Sequence, residues 1–192
     1  METAPTLTQA IVDMWLDFNS LDSIALGYSE SVGRALALAQ SFEQNCKFVL
    51  LVANLDAEIE KGQIGKPREI ASYSERLESW FKLGRDINQF QQRHNVCPAD
   101  IDVLQKGVDA RNYIAHEAAL PMLIGSNAWK AVNKEARKFA EQVTALAQAE
   151  NLICHWSFAI QEKDLVPQTI AASFVHDVVS WVLAPIQKAA SI

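Results

Sequence analysis

Val32, Leu36, Ala39, Phe42, Cys46, Val49 and Leu50 recur at steps of three and four residues. No stretch of the chain alternates apolar and polar residues in the manner of a strand bounded by turn residues. On a helix of 3.6 residues per turn that spacing gathers the apolar side chains into one stripe. It predicts a long helix from Ser29 to Ile59, with the Ser29 hydroxyl as its N-cap. The same periodicity returns along most of the chain and dictates an all-α fold.

A short helix over 7–19 places Ile11, Met14, Trp15 and Phe18 on one face, and "NSLDSIALGYS" reads as a loop or broken helix. Gly62 and Gly65 stop the long helix, and Pro67 restarts the chain as a helix running to His94. Its stripe is Ile70, Tyr73, Leu77, Trp80, Phe81, Ile87 and Phe90. A further helix opens at Pro98, with Asp100 and Asp102 suiting its positive end, and Pro121 ends it. It carries Ile101, Leu104, Val108, Tyr113 and Ile114. The last two helices run from Asn127 to Glu162 and onward from Pro167. The apolar stripes, including all five tryptophans, read as core. Long helices joined by short breaks imply an antiparallel helical bundle of about five to six helices in a single domain over 1–192.

Composition narrows the class. Glycine and proline number only 7 and 6, and 49% of residues are hydrophobic, enough for one sizeable core. Cys46, Cys97 and Cys154 form no CxxC pair, which argues for buried free thiols in a reducing cytoplasm over a disulfide frame or a zinc site. "METAPTLTQA" has neither the basic nor the apolar region of a signal peptide. "TIAASFVHDVVSWVLAPI" is long enough to span a bilayer but holds His176 and Asp177, so a buried helix of a non-membrane, cytoplasmic protein is expected.

The net charge of −6 conceals an uneven distribution. Residues 1–60 hold nine acids and two bases, whereas 61–94 hold seven bases and four acids. Lys130, Lys134 and Lys138 step by four, so they share one helix face. That stripe, or the side of the Pro67–His94 helix bearing Arg76, Lys82 and Arg85, is a candidate track for a phosphate backbone. A solvated helix face explains each run equally well.

The polar insertion in "ARNYIAHEAA", residues 110–119, is the chemical signal. Asn112 and His116 lie four apart and share a face. Arg111 lies about 140° round the helix from His116. A histidine exchanges protons near neutral pH as a residue type. An arginine offers planar paired donors and a permanent charge to a phosphate. Asn112 is placed to orient the ring. Together they have the chemistry of RNA cleavage: proton transfer at the 2′-oxygen or leaving oxygen, and stabilisation of charge on phosphorus-bound oxygens. The other histidines carry less: His94 reads as a surface helix end, His155 as a packing residue, and His176 neighbours Asp177 without facing it. No HExxH, Walker, GxGxxG or GxSxG pattern is present.

"RNYIAH" resembles the R-x4–6-H signature of the HEPN family of all-α ribonucleases, including the polar residue directly after the arginine. The resemblance to that bundle covers about 29–160, with additional helices at both ends. It implies a HEPN-like endoribonuclease in which Arg111 and His116 are catalytic and Asn112 supports them. It also implies action without a metal or other cofactor, a homodimer whose two motifs form one cleft, an RNA substrate, and a toxin or defence role with an antitoxin or regulatory protein as partner. The chain departs from the pattern of toxins paired with nucleotidyltransferase antitoxins, which carry a tyrosine two residues after the histidine, where Ala118 stands here. A second reading stays open, in which the trio is a hydrogen-bonded patch in a non-catalytic HEPN-like nucleotide- or partner-binding module.

Overall fold

The computed structural model describes residues 23–80, 82–94, 96–121, 128–163 and 168–190, with the backbone alone at 77–80, 89, 91–94, 128–133 and 168–170. Within these the chain is all-helical, with α1 (Ser23–Glu60), α2 (Pro67–Trp80), α3 (Leu83–His94), α4 (Pro98–His116), α5 (Ala128–Glu162) and α6 (Gln168–Ala190). The expected helix over 7–19 lies outside the described residues.

α1 begins at Ser23, so Ser29 is not an N-cap and the second half of "NSLDSIALGYS" is helix. Tertiary packing overrides the weak local signal there. Ala25 and Tyr28 are fully buried, and Gly27 lies so close to α6 that a Cβ would come within 2.6 Å of the Pro185 carbonyl oxygen. The buried stripe continues through Val32, Ala35, Leu38, Ala39, Phe42, Cys46, Val49 and Leu50. Leu36, expected on that stripe, is 36% exposed. Steps of four outrun the 3.6-residue turn, and Ala35 takes the inward position instead. α1 closes as a Schellman turn: Gly62, at φ +68°, donates its N–H to the Ile59 carbonyl, and the Gln63 N–H reaches the Glu58 carbonyl.

The expected helix from Pro67 to His94 is two helices. Glu69 caps α2 by accepting the Gly65 and Lys66 N–H groups, which hold its carboxyl below the usual range. At the break after Trp80, the Lys82 N–H donates to Asp86 Oδ2 at 2.7 Å and starts α3 afresh. Ile87 and Phe90 of α3 then bury as expected.

Paired contacts set helix direction. Tyr28 meets Phe139, Ser41 meets Glu150 and Asn45 meets Cys154, so α1 and α5 run parallel. Gly27 meets Pro185 and Ala189 while Arg34 meets Trp181, so α6 runs antiparallel to α1. Gly107 meets Ala149 and Glu117 meets Lys138, so α4 runs antiparallel to α5. One core of buried residues draws on α1, α3, α4, α5 and α6, with Phe42, Leu104, Ile114, Phe139, Leu146 and Ile153 at 1% exposure or less.

Trp156 packs against that core beside Phe90 at 6.0 Å between ring centroids. Trp181 does not: it is 49% exposed under the Arg34 guanidinium. His176 and Asp177 are exposed, so α6 is amphipathic where a buried helix was expected. No described helix is long and apolar enough to cross a membrane. All three cysteines are free; Cys46 is buried as expected, whereas Cys97 is exposed at the start of α4.

Candidate functional site

α4 carries the trio. It opens with Pro98 at its first helical position after Cys97. It ends at His116, ahead of Pro121: the Glu117 N–H makes the last i→i−4 bond, to the Tyr113 carbonyl at 2.8 Å, and the Ala118 N–H leaves that pattern to share the same oxygen at 3.0 Å. The buried side of α4, Ile101, Leu104, Val108, Tyr113 and Ile114, is the one the spacing predicts.

Arg111 points toward α1. Its Nε and Nη2 both donate to Glu43 Oε2, at 3.0 and 2.5 Å, and Nη1 donates to Asn112 Oδ1 at 3.2 Å. The two side chains of the pair are 28% and 33% exposed. A guanidinium has five N–H donors; among the described residues these contacts engage one each on Nε, Nη1 and Nη2 and leave one N–H on each terminal nitrogen. Asn112 and His116 are exposed. Among the described residues no hydrogen bond joins them, since the Asn112 carbonyl serves Arg111 instead of the ring. Arg111 and His116 are therefore held on different sides of α4, as the helix geometry requires.

Beside the end of α4 lies a groove of about 300 Å³, lined by Tyr113, Glu117, Leu120, Pro121, Lys134, Glu135 and Lys138. The Lys138 ammonium sits 4.3 Å from the Tyr113 ring centroid and 3.3 Å from Glu117. Beneath it, the hydroxyls of Tyr28 and Tyr113 are buried. Burial pushes both above the usual tyrosine range, with Glu135 adding to the effect.

The basic runs are distributed differently from expectation. Lys134 and Lys138 reach the groove, and the side chain of Lys130 lies outside the described residues. Arg76, Lys82 and Arg85 do not share one helix: Arg76 is on α2 against Tyr73, Lys82 stands at the break, and Arg85 on α3 pairs with Asp86.

A second polar cluster lies between α1 and α5. Glu150 is 2% exposed, and its Oε1 accepts from Ser41 Oγ at 2.5 Å and Asn45 Nδ2 at 3.0 Å. Burial raises the Glu150 pKa against the hydrogen bonds from Ser41, Cys154 and Asn45, which lower it. Burial and the neighbouring Glu150 push the Cys154 thiol up to about 12, and burial raises the Cys46 thiol too. These are unreactive thiols. Among the described residues no group of three or more His, Cys, Asp or Glu side chains is arranged to hold a metal ion.

Glu43, Glu135 and the groove were not visible in the sequence. Glu43 is one acid among nine in the first 60 residues, with no spacing that ties it to Arg111. Tyr113 reads as core, which it also is. In comparisons with known proteins, no family model, curated protein or solved structure matches this chain.

Proposed function

We propose that this chain is a HEPN-type endoribonuclease that cleaves RNA with Arg111 and His116. The observation that carries the reading is the state of Arg111. A carboxylate and an amide hold its guanidinium while two N–H groups have no partner among the described residues, beside a helix end that presents an exposed imidazole. An oriented cation and a proton-transfer group are what cleavage by an internal 2′-hydroxyl requires. The 2′-oxygen attacks phosphorus and loses its proton, the bond to the 5′-oxygen breaks, and that oxygen gains a proton. His116 serves one of these proton transfers, Arg111 stabilises charge on the non-bridging oxygens, and Asn112 holds Arg111.

Arg111 and His116 stand on different sides of α4, so a second copy of the chain supplies the opposite wall of the cleft on this reading. The basic residues Lys134 and Lys138 then track RNA phosphates. A toxin or defence role, restrained by an antitoxin or regulatory protein in the cytoplasm, belongs to the same proposal.

The Glu43 carboxylate also favours a second reading. It neutralises Arg111, which suits a structural ion pair in a non-catalytic HEPN-like nucleotide- or partner-binding module. An oligoribonucleotide and its 2′-deoxy counterpart, incubated with the protein in EDTA, separate the two. The ribonuclease reading expects cleavage of the ribonucleotide alone, with 2′,3′-cyclic phosphate ends. Cleavage of both strands contradicts the mechanism, and cleavage of neither supports the binding module.

A further inference from the structure

We propose that the groove between the end of α4 and α5 is a nucleotide subsite that prefers guanine. A volume of about 300 Å³ is at the small end for ligand sites, the size of one small molecule and not of a polymer segment. One wall is apolar, made by Leu120, 53% exposed, and Pro121. Glu117 and Lys138 neutralise each other at 3.3 Å, and Lys138 is seated on the Tyr113 ring. That pair closes one side of the groove and leaves Lys134 and Glu135 as its charged groups without a partner among the described residues. Glu135 is half-buried and Lys134 exposed, and neither makes a hydrogen bond or ion pair among the described residues.

A ligand that satisfies both must carry hydrogen-bond donors for a carboxylate and an anion for an ammonium. A guanine nucleotide has both. Its N1–H and N2–H lie side by side on the Watson–Crick edge and match the two oxygens of a carboxylate. Adenine and cytosine each set an acceptor beside their amino group, and uracil sets its N–H between two carbonyls. Single-stranded RNA is read on such edges, with the base face against an apolar or aromatic wall. Glu135 thus reads the base, Leu120 and Pro121 cover its face, and Lys134 takes the phosphate. His116 immediately precedes Glu117 of the groove wall in the chain but does not itself line the groove. Base binding stands on the groove alone, and only its coupling to cleavage rests on the ribonuclease reading.

The test is calorimetric titration of the full chain with guanosine, adenosine, cytidine and uridine monophosphates. Guanosine monophosphate is expected to bind about tenfold or more tightly than the others, the size of one paired base contact. Glu135→Gln is expected to erase that preference, and Lys134→Ala to weaken all four alike; both positions are open enough for the fold to persist, as circular dichroism would verify. Equal binding of the four nucleotides, a preference unchanged in Glu135→Gln, or binding of a zwitterionic amino acid instead would overturn the proposal. Mapping RNA cuts separates it from the ribonuclease reading. Guanosine monophosphate binding without cleavage keeps the subsite and removes the ribonuclease. Cleavage with no base preference and no guanosine monophosphate binding does the reverse.

Discussion

Glu43 on α1 and Arg111 on α4 are 68 residues apart in sequence, and one carboxylate oxygen of Glu43 accepts from two nitrogens of Arg111. The pair ties the candidate site to the longest helix of the fold. On the ribonuclease reading it orients the guanidinium before substrate arrives. Glu43→Ala should therefore lower kcat by about ten- to a hundredfold with little change in KM, the cost of a loosened catalytic group. Steady-state kinetics of Glu43→Ala beside the wild type check this.

Arg34 and Pro185 are coupled through a carbonyl. Proline has no N–H, so Pro185 inside α6 leaves the Trp181 carbonyl without its helical partner. Arg34 Nη1 donates to that oxygen at 2.5 Å and its guanidinium lies 5.2 Å from the Trp181 ring centroid. Arg34→Ala should cost about 1.5–3 kcal/mol, the range for a hydrogen bond from a charged group. The loss should shrink in a Pro185→Ala background, where residue 185 donates instead. Urea unfolding of the four combinations measures the coupling.

Gly107 lets α4 and α5 approach closely. A Cβ there would collide with Ala149 Cβ and meet the Phe42 ring at 3.0 Å. Gly107→Ala raises helix propensity in isolation but should destabilise the fold by about 1–3 kcal/mol through overpacking. A fall in Tm relative to Gly33→Ala, where an added Cβ meets no described neighbour within 4 Å, is the direct comparison.

Glu150 makes stability depend on pH. Burial raises its folded pKa above the ordinary carboxyl range, so the native state holds a proton that the unfolded state releases first. Its effect is absent at lower pH, where both states are protonated. As pH rises above the unfolded carboxyl's range, the unfolded state ionises first and stability falls until the native carboxyl has also ionised. Glu150→Gln removes the charge, so its Tm should gain on the wild type as pH rises from 4 toward 8, a trend thermal scans across that range would reveal.

Helix existence was legible because apolar spacing is a local signal, and the buried faces of α3 and α4 follow it closely. What escaped were effects made by distant partners. Ser23–Tyr28 is helical because Gly27 and Tyr28 pack on α6 and α5, and no residue near Ser29 announces that. The split after Trp80 depends on Asp86 reaching back to the Lys82 amide, in a sequence whose apolar period continues across it. Trp181 is outside the core because its neighbours on α6 fill the inward positions and Arg34 covers its ring. In the candidate site, "RNYIAH" was visible as a motif, but its side-chain arrangement was not. Asn112 turns to Arg111 because Glu43, on another helix, fixes where the guanidinium lies.

The most direct measurement is RNA cleavage in EDTA by the purified wild type beside Arg111→Ala and His116→Ala, on total cellular RNA and tRNA. Circular dichroism would verify that all three are folded. The account predicts fragments from the wild type and intact RNA from both variants. Cleavage by all three at equal rates, or by none, would contradict it.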